Sequence, residues 1–85
     1  MKIFEYTIKD PLGIHARPAG MLAKLAKGYT SEMIVAKGVH SASCTKLIAL
    51  MGLGIKCGDT ITVTVRGEDE DAAESAIKAF LQDNL

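Results

Sequence analysis

The sequence predicts an α+β domain, one four-stranded sheet covered on a single face by helices. Three observations carry this reading. Stretches of alternating polarity and stretches of helical apolar spacing follow one another as β-α-β-β-α-β-α. Each helical stretch has only one apolar stripe, and so only one side to bury. A chain of 85 residues, 48% hydrophobic and 24% charged, makes one compact domain over residues 1–85.

Residues 2–8 put Phe4, Tyr6 and Ile8 on one side and Glu5 and Thr7 on the other, as a half-buried strand does. Asp10-Pro11-Leu12-Gly13 ends it with turn chemistry. Helical spacing of Ala19, Leu22, Leu25 and Ala26 predicts a helix over 16–27, stopped by Gly28. Residues 32–37 and 39–44 read as two strands about a turn at Lys37-Gly38. Thr45 is placed to cap a short apolar helix over 46–51, which runs out in Gly52-Leu53-Gly54. Cys57-Gly58-Asp59 is a turn, and Ile61, Val63 and Val65 alternate with threonines in a strand over 60–65. Ala73, Ala76, Ile77, Phe80 and Leu81 give the last helix, over 68–83, its buried stripe. No linker, low-complexity tract or repeat divides the chain.

Ten basic and ten acidic residues cancel. That balance excludes a protein built to ride on nucleic-acid phosphates. The longest apolar run, Leu47 to Leu53, is far short of a membrane span. The amino terminus lacks the apolar core of a secretory signal, and two cysteines cannot make a disulfide scaffold, so a reducing cytoplasm is expected. The zero charge conceals an asymmetry: residues 1–67 carry a net +5 and residues 68–85 a net −5. The plain reading of the acidic segment is a solvated helix with carboxylates in its first turn. A domain this small has a thin core and no room for a large catalytic cleft, which leaves chemistry to the surface.

The stretch Gly13-Ile14-His15-Ala16-Arg17-Pro18-Ala19 holds the candidate chemistry. His15 falls where the loop meets the first helix, a place where Ser, Thr, Asp or Asn would cap better. Unpaired N–H groups there, that of Ala16 among them, make an anion site, and the helix dipole favours the neutral, nucleophilic imidazole. Arg17 can present its fork of donors to the same anion. Pro18 lacks an N–H where none is needed, and it disfavours helical geometry at Arg17, so some strain is expected in this turn. These groups together suit a phosphohistidine site, and an exposed loop histidine beside a capping turn is the plainer alternative. His15, His40, Cys44 and Cys57 lack zinc spacing, and His40 and Cys44 share a strand face as packing residues. No cofactor or metal is expected.

A second feature lies along the same helix. Arg17, Gly20, Lys24 and Lys27 share one face, with Met21 beside them. The short second helix adds Lys46, Leu47, Ile48 and Met51, more apolar surface than a helix of that length can bury. Either this is a solvated face over core residues, or it is a docking surface with an apolar centre and a basic rim for acidic partners.

At Gly13–Ala19, and at Leu50-Met51-Gly52-Leu53-Gly54, the chain resembles the HPr phosphocarrier family of the bacterial phosphotransferase system, and the resemblance spans its whole length. It implies an open-faced β-sandwich, βαββαβα, with an antiparallel four-stranded sheet and three helices. It implies that His15 takes a phosphoryl group on Nδ1 from enzyme I, charged by phosphoenolpyruvate, and passes it to IIA domains of sugar permeases while Arg17 stabilises the phosphoryl oxygens. A carrier of this kind is a substrate of other enzymes and is expected to be a cytoplasmic monomer. One departure stands out: where many such proteins carry a regulatory serine, this chain has Lys46. That departure opens a second reading, a regulatory or nitrogen-branch paralogue whose charged His15 tunes the proteins it binds.

Overall fold

The computed structural model describes residues 1–85 and has the predicted order: β1 (Lys2–Thr7), α1 (Ala16–Lys27), β2 (Glu32–Lys37), β3 (His40–Ser43), α2 (Leu47–Met51), β4 (Thr60–Arg66) and α3 (Glu70–Asn84). The four strands form one sheet in the order β1-β4-β2-β3, every neighbouring pair antiparallel. Alternation decides which face is covered. Val63 pairs with Phe4 on one side and Val35 on the other, and all three turn toward the helices. Threonines 60, 62 and 64 of β4 lie on the opposite, open face.

The helices close the core from one side only. Ala19, Leu22 and Ala26 of α1, Leu50 of α2, and Ala73, Ile77 and Leu81 of α3 are buried against Ile61, Val63 and Val65. No helix is long and apolar enough to cross a membrane.

Several local expectations need correction. Lys37 pairs with His40, so the hairpin turns at Gly38-Val39 rather than Lys37-Gly38, and β3 starts one residue later than expected. Gly38 supplies the positive φ (61°) that this two-residue loop requires at its first position. His40 is exposed beside that turn, beyond the reach of the helices, while Cys44 is fully buried. The second helix starts at Leu47, and its N-cap is Lys46, not Thr45. The Thr45 and Ser43 hydroxyls bond each other at 2.9 Å, and the Lys46 carbonyl accepts the Leu50 N–H at 2.9 Å. The last helix runs from Glu70 to Asn84, two residues later at its start and one at its end, with Ala76 only half-buried.

The acidic segment is explained by local pairing. Glu70 meets the Met1 ammonium at 2.8 Å and Asp71 meets Lys2 at 3.0 Å, both at the start of α3. Asp69 joins α3 to the loop after α1: its carboxylate accepts the N–H groups of Thr30 (2.9 Å) and Ser31 (2.8 Å), and the Ser31 hydroxyl. The hydroxyl first, then the Thr30 N–H, hold the Asp69 carboxyl down at about 2. Its folded value lies below its unfolded one, so this stabilisation is complete above an unfolded value near ~4 and is lost as pH falls through the folded value. Asp69→Asn should therefore lower the melting temperature at neutral pH, and the gap from the parent should close as thermal melts are taken down to about pH 2. A gap that did not change with pH would assign the loss to geometry rather than charge.

Candidate phosphoryl-acceptor site

The loop after β1 is shaped before the histidine is reached. The Asp10 carboxylate accepts the Leu12 N–H at 2.8 Å and the Asp10 carbonyl accepts the Gly13 N–H at 2.9 Å, which turns the chain back. Gly13 has a φ of 68°, and a Cβ on it would overlap the Ile55 carbonyl, so only glycine fits. The next N–H, of Ile14, donates to that same carbonyl at 3.1 Å. Two turns are thus pressed together under the site. Ile14 is buried, and the chain emerges at His15.

His15 is the N-cap of α1, with extended backbone (φ −122°, ψ −179°) and no side-chain capping bond. Its carbonyl accepts the Ala19 N–H at 2.9 Å, closing the first turn. The N–H groups of Ala16 and Arg17 have no acceptor within the protein, and Pro18 contributes none. Arg17 is helical despite the proline that follows, and no non-glycine residue takes a positive φ. The Arg17 side chain is exposed and forms no ion pair.

His15 and Arg17 line one shallow depression of about 230 Å³ together with Asp10, Pro18, Met21 and Asn84. Ordinary ligand pockets occupy roughly 300–1,000 Å³. The hollow suits a small anion offered on the surface of another molecule better than an enclosed metabolite. Nε2 of His15 faces Asp10 Oδ1 at 3.9 Å, with the two side chains 37% and 27% exposed. Asn84 arrives from the far end of the chain because the Leu85 main-chain oxygen accepts the N–H groups of Lys9 (2.6 Å) and Asp10 (2.9 Å).

Asp10 and Asn84 were not visible as site residues in the sequence. Asp10 reads there as a turn former, and Asn84 as the polar end of a helix. A carboxylate five residues before the histidine was the available signal for Asp10, but the turn that brings them together is a matter of geometry. Elsewhere the structure offers little chemistry. Burial pushes the Cys44 thiol up to about 12, so it is inert at neutral pH. No three His, Cys, Asp or Glu side chains come together as metal ligands.

The expected docking residues do share the helical side of the molecule. Lys24 and Lys27 are exposed along α1 with Met21 (44%) between Arg17 and Lys24. On α2, which packs against α1, Leu47, Ile48 and Met51 are 38%, 80% and 37% exposed, and Lys46 is exposed at its start. Lys37 holds the segment after α2, its ammonium bonding Asp59 and the Gly54 carbonyl, both at 2.9 Å. Gly20 is half-buried in mid-helix, and a Cβ there would meet nothing within 4 Å.

Comparison with known proteins places this arrangement. Residues 3–83 match the family model for the PTS HPr component phosphorylation site. The chain is 47% identical to the phosphocarrier protein HPr of Mycoplasma genitalium, over 99% of this chain and 97% of that one. It is 43% identical to that of Mycoplasma pneumoniae, over 96% and 94%. Among solved structures, a Mycoplasma histidine-containing phosphocarrier protein superposes with a TM-score of 0.93 at 34% identity, covering 96% of this chain and 93% of its own. A histidine at an open helix start, an arginine two residues on and the antiparallel sheet beneath them agree with these matches: the chain belongs to the HPr phosphocarrier family of the phosphotransferase system.

Proposed function

We propose that this protein carries a phosphoryl group on Nδ1 of His15, taken from enzyme I charged by phosphoenolpyruvate and delivered to IIA domains of sugar permeases in the cytoplasm. One observation carries the reading: an imidazole at the start of α1, beside the unpaired N–H groups of Ala16 and Arg17 and the free Arg17 guanidinium, in a depression open to a partner's surface. Phosphoryl transfer through a loose transition state needs positioning and charge more than covalent apparatus, and these groups supply both. The chain performs no turnover of its own. Incubation with enzyme I, phosphoenolpyruvate and Mg²⁺ should add one acid-labile phosphate, and complementation of sugar uptake tests delivery. An uncharged protein would overturn the reading.

Partners are expected to dock over Met21, Leu47, Ile48 and Met51, with Arg17, Lys24, Lys27 and Lys46 as a basic rim. Gly20 supports this, because nothing inside the protein requires glycine there. Alanine in a helix interior is more stable than glycine by ~0.5–1 kcal/mol. Gly20→Ala should therefore raise the melting temperature while weakening binding to enzyme I, because the new methyl group intrudes on the docking surface. Calorimetric titration checks this, and unchanged affinity would move the interface elsewhere.

A second reading, the regulatory or nitrogen-branch paralogue, is favoured by the identity of residue 46. Lys46 is exposed as the N-cap of α2 and offers a kinase no hydroxyl, while Thr45 and Ser43 spend theirs on each other. No ATP-dependent, acid-stable phosphate should appear on incubation with an HPr kinase, and Lys46→Ser should gain one. Stoichiometric phosphate on Thr45 by mass spectrometry would restore kinase control of the unaltered chain.

A further inference from the structure

The depression at His15 contains a carboxylate as well as a guanidinium. For a site that receives an anion this is unexpected, because a negative group there opposes the incoming phosphoryl oxygens. Asp10 is nevertheless built in. Its carboxylate is anchored by the Leu12 N–H at 2.8 Å, its own N–H is fixed to the Leu85 main-chain oxygen at 2.9 Å, and its side chain is only 27% exposed. The anchored oxygen, Oδ1, is also the one that faces Nε2 of His15, at 3.9 Å.

We propose that Asp10 is the positioning residue of the His15 ring: its carboxylate keeps the ring proton on Nε2 and leaves the Nδ1 lone pair to attack phosphorus. The inference rests on His15 being the phosphoryl acceptor. In that step the Nδ1 lone pair forms the N–P bond as the bond from phosphorus to the donor breaks, its electron pair leaving with the donor. The Nε2 proton does not move. The product ring is a cation bearing a phosphoryl dianion, and its Nε2–H points at the Asp10 carboxylate. Donation reverses each step and returns the neutral ring with its proton in place.

The present separation exceeds a hydrogen bond. Catalytic contacts commonly tighten only when charge develops, and a cationic ring supplies that charge. Asp10 and Arg17 are the charged side chains lining the depression around the ring. They divide the work: Arg17 faces the phosphoryl oxygens, and Asp10 the opposite nitrogen. A carboxylate that keeps the phosphorylated ring protonated also keeps it a good leaving group, because neutral imidazole departs more readily than imidazolate.

The test charges the ring without enzyme I, so that its outcome is separate from that of the proposed function. Phosphoramidate phosphorylates imidazole directly: its P–N bond breaks, ammonia leaves with the electron pair, and the ring nitrogen takes the phosphoryl group. Asp10→Asn and Asp10→Ser both retain an oxygen for the Leu12 N–H, and hence the turn, but lack the charge. Nitrogen-15 and phosphorus-31 resonances of each charged protein are followed against pH, together with the rate of phosphate loss to water. The parent should carry phosphate on Nδ1. In both variants the phosphorylated ring should lose its Nε2 proton at a pH lower by about half a unit to one unit. The pH profile of hydrolysis should move by the same amount, which a role confined to the turn would not cause. Identical profiles in parent and variants, phosphate on Nε2 of the parent, or a parent ring that phosphoramidate cannot charge would each overturn the proposal.

Discussion

His15→Ala should fold as the parent does and accept no phosphoryl group. The two halves of that expectation have separate physical grounds. The imidazole makes no capping bond, and Asp10 Oδ1 lies beyond hydrogen-bond distance at 3.9 Å, so its removal leaves nothing unsatisfied. The residue is half-buried rather than part of the core, and substitutions at such places change stability by about 0.5 kcal/mol or less. For the chemistry the loss is total, because no other nucleophile lies in the depression except the Asp10 carboxylate, which is turned toward the ring and tied to Leu12. Superimposable thermal melts together with an unchanged mass after incubation with charged enzyme I are the expected pair of results. An acid-labile gain of one phosphate on the variant would move the acceptor elsewhere.

What the sequence disclosed and what it withheld follow from the range of the interactions involved. Strands were legible where one residue in two is buried, as at Ile61, Val63 and Val65. Helices were legible where a stripe such as Ala19, Leu22 and Ala26 is set by the core beneath it. The placing of His15 and Arg17 side by side was legible because one helix start positions both. The errors lie where a distant or competing contact decides. Thr45 would cap α2 by its chemistry, but the neighbouring Ser43 hydroxyl takes it, and Lys46 falls into the cap by default. His40 alternates like a packing residue, yet it sits on a hairpin end that no helix covers. The strand order β1-β4-β2-β3 and the antiparallel pairing come from long-range contacts, and only the family resemblance implied the pairing. Asp10 and Asn84 reach the site through one tight turn and through Leu85, which no local pattern records.

Arg17→Ala should slow phosphoryl transfer far more than it weakens docking. The guanidinium is exposed and unpaired beside the ring, so it is free to meet oxygens whose charge grows in the transition state. Removing one donor to the oxygens of such a transition state costs a factor of roughly 10²–10³ in turnover. As one exposed cation on a docking rim it would contribute only ~0.2–1 kcal/mol, a few-fold in affinity, screened further by salt. The two roles therefore predict different splits between kcat and KM. The unpaired N–H groups of Ala16 and Arg17 remain in the alanine variant, so transfer should be slowed rather than abolished. Arg17→Lys should recover only part of the rate, because an ammonium is a point charge and cannot span two phosphoryl oxygens as the planar fork does. Steady-state transfer from charged enzyme I, measured at several concentrations of the carrier, separates the terms. Equal losses in KM and kcat would place Arg17 in docking, and full rescue by lysine would reduce its part to charge alone.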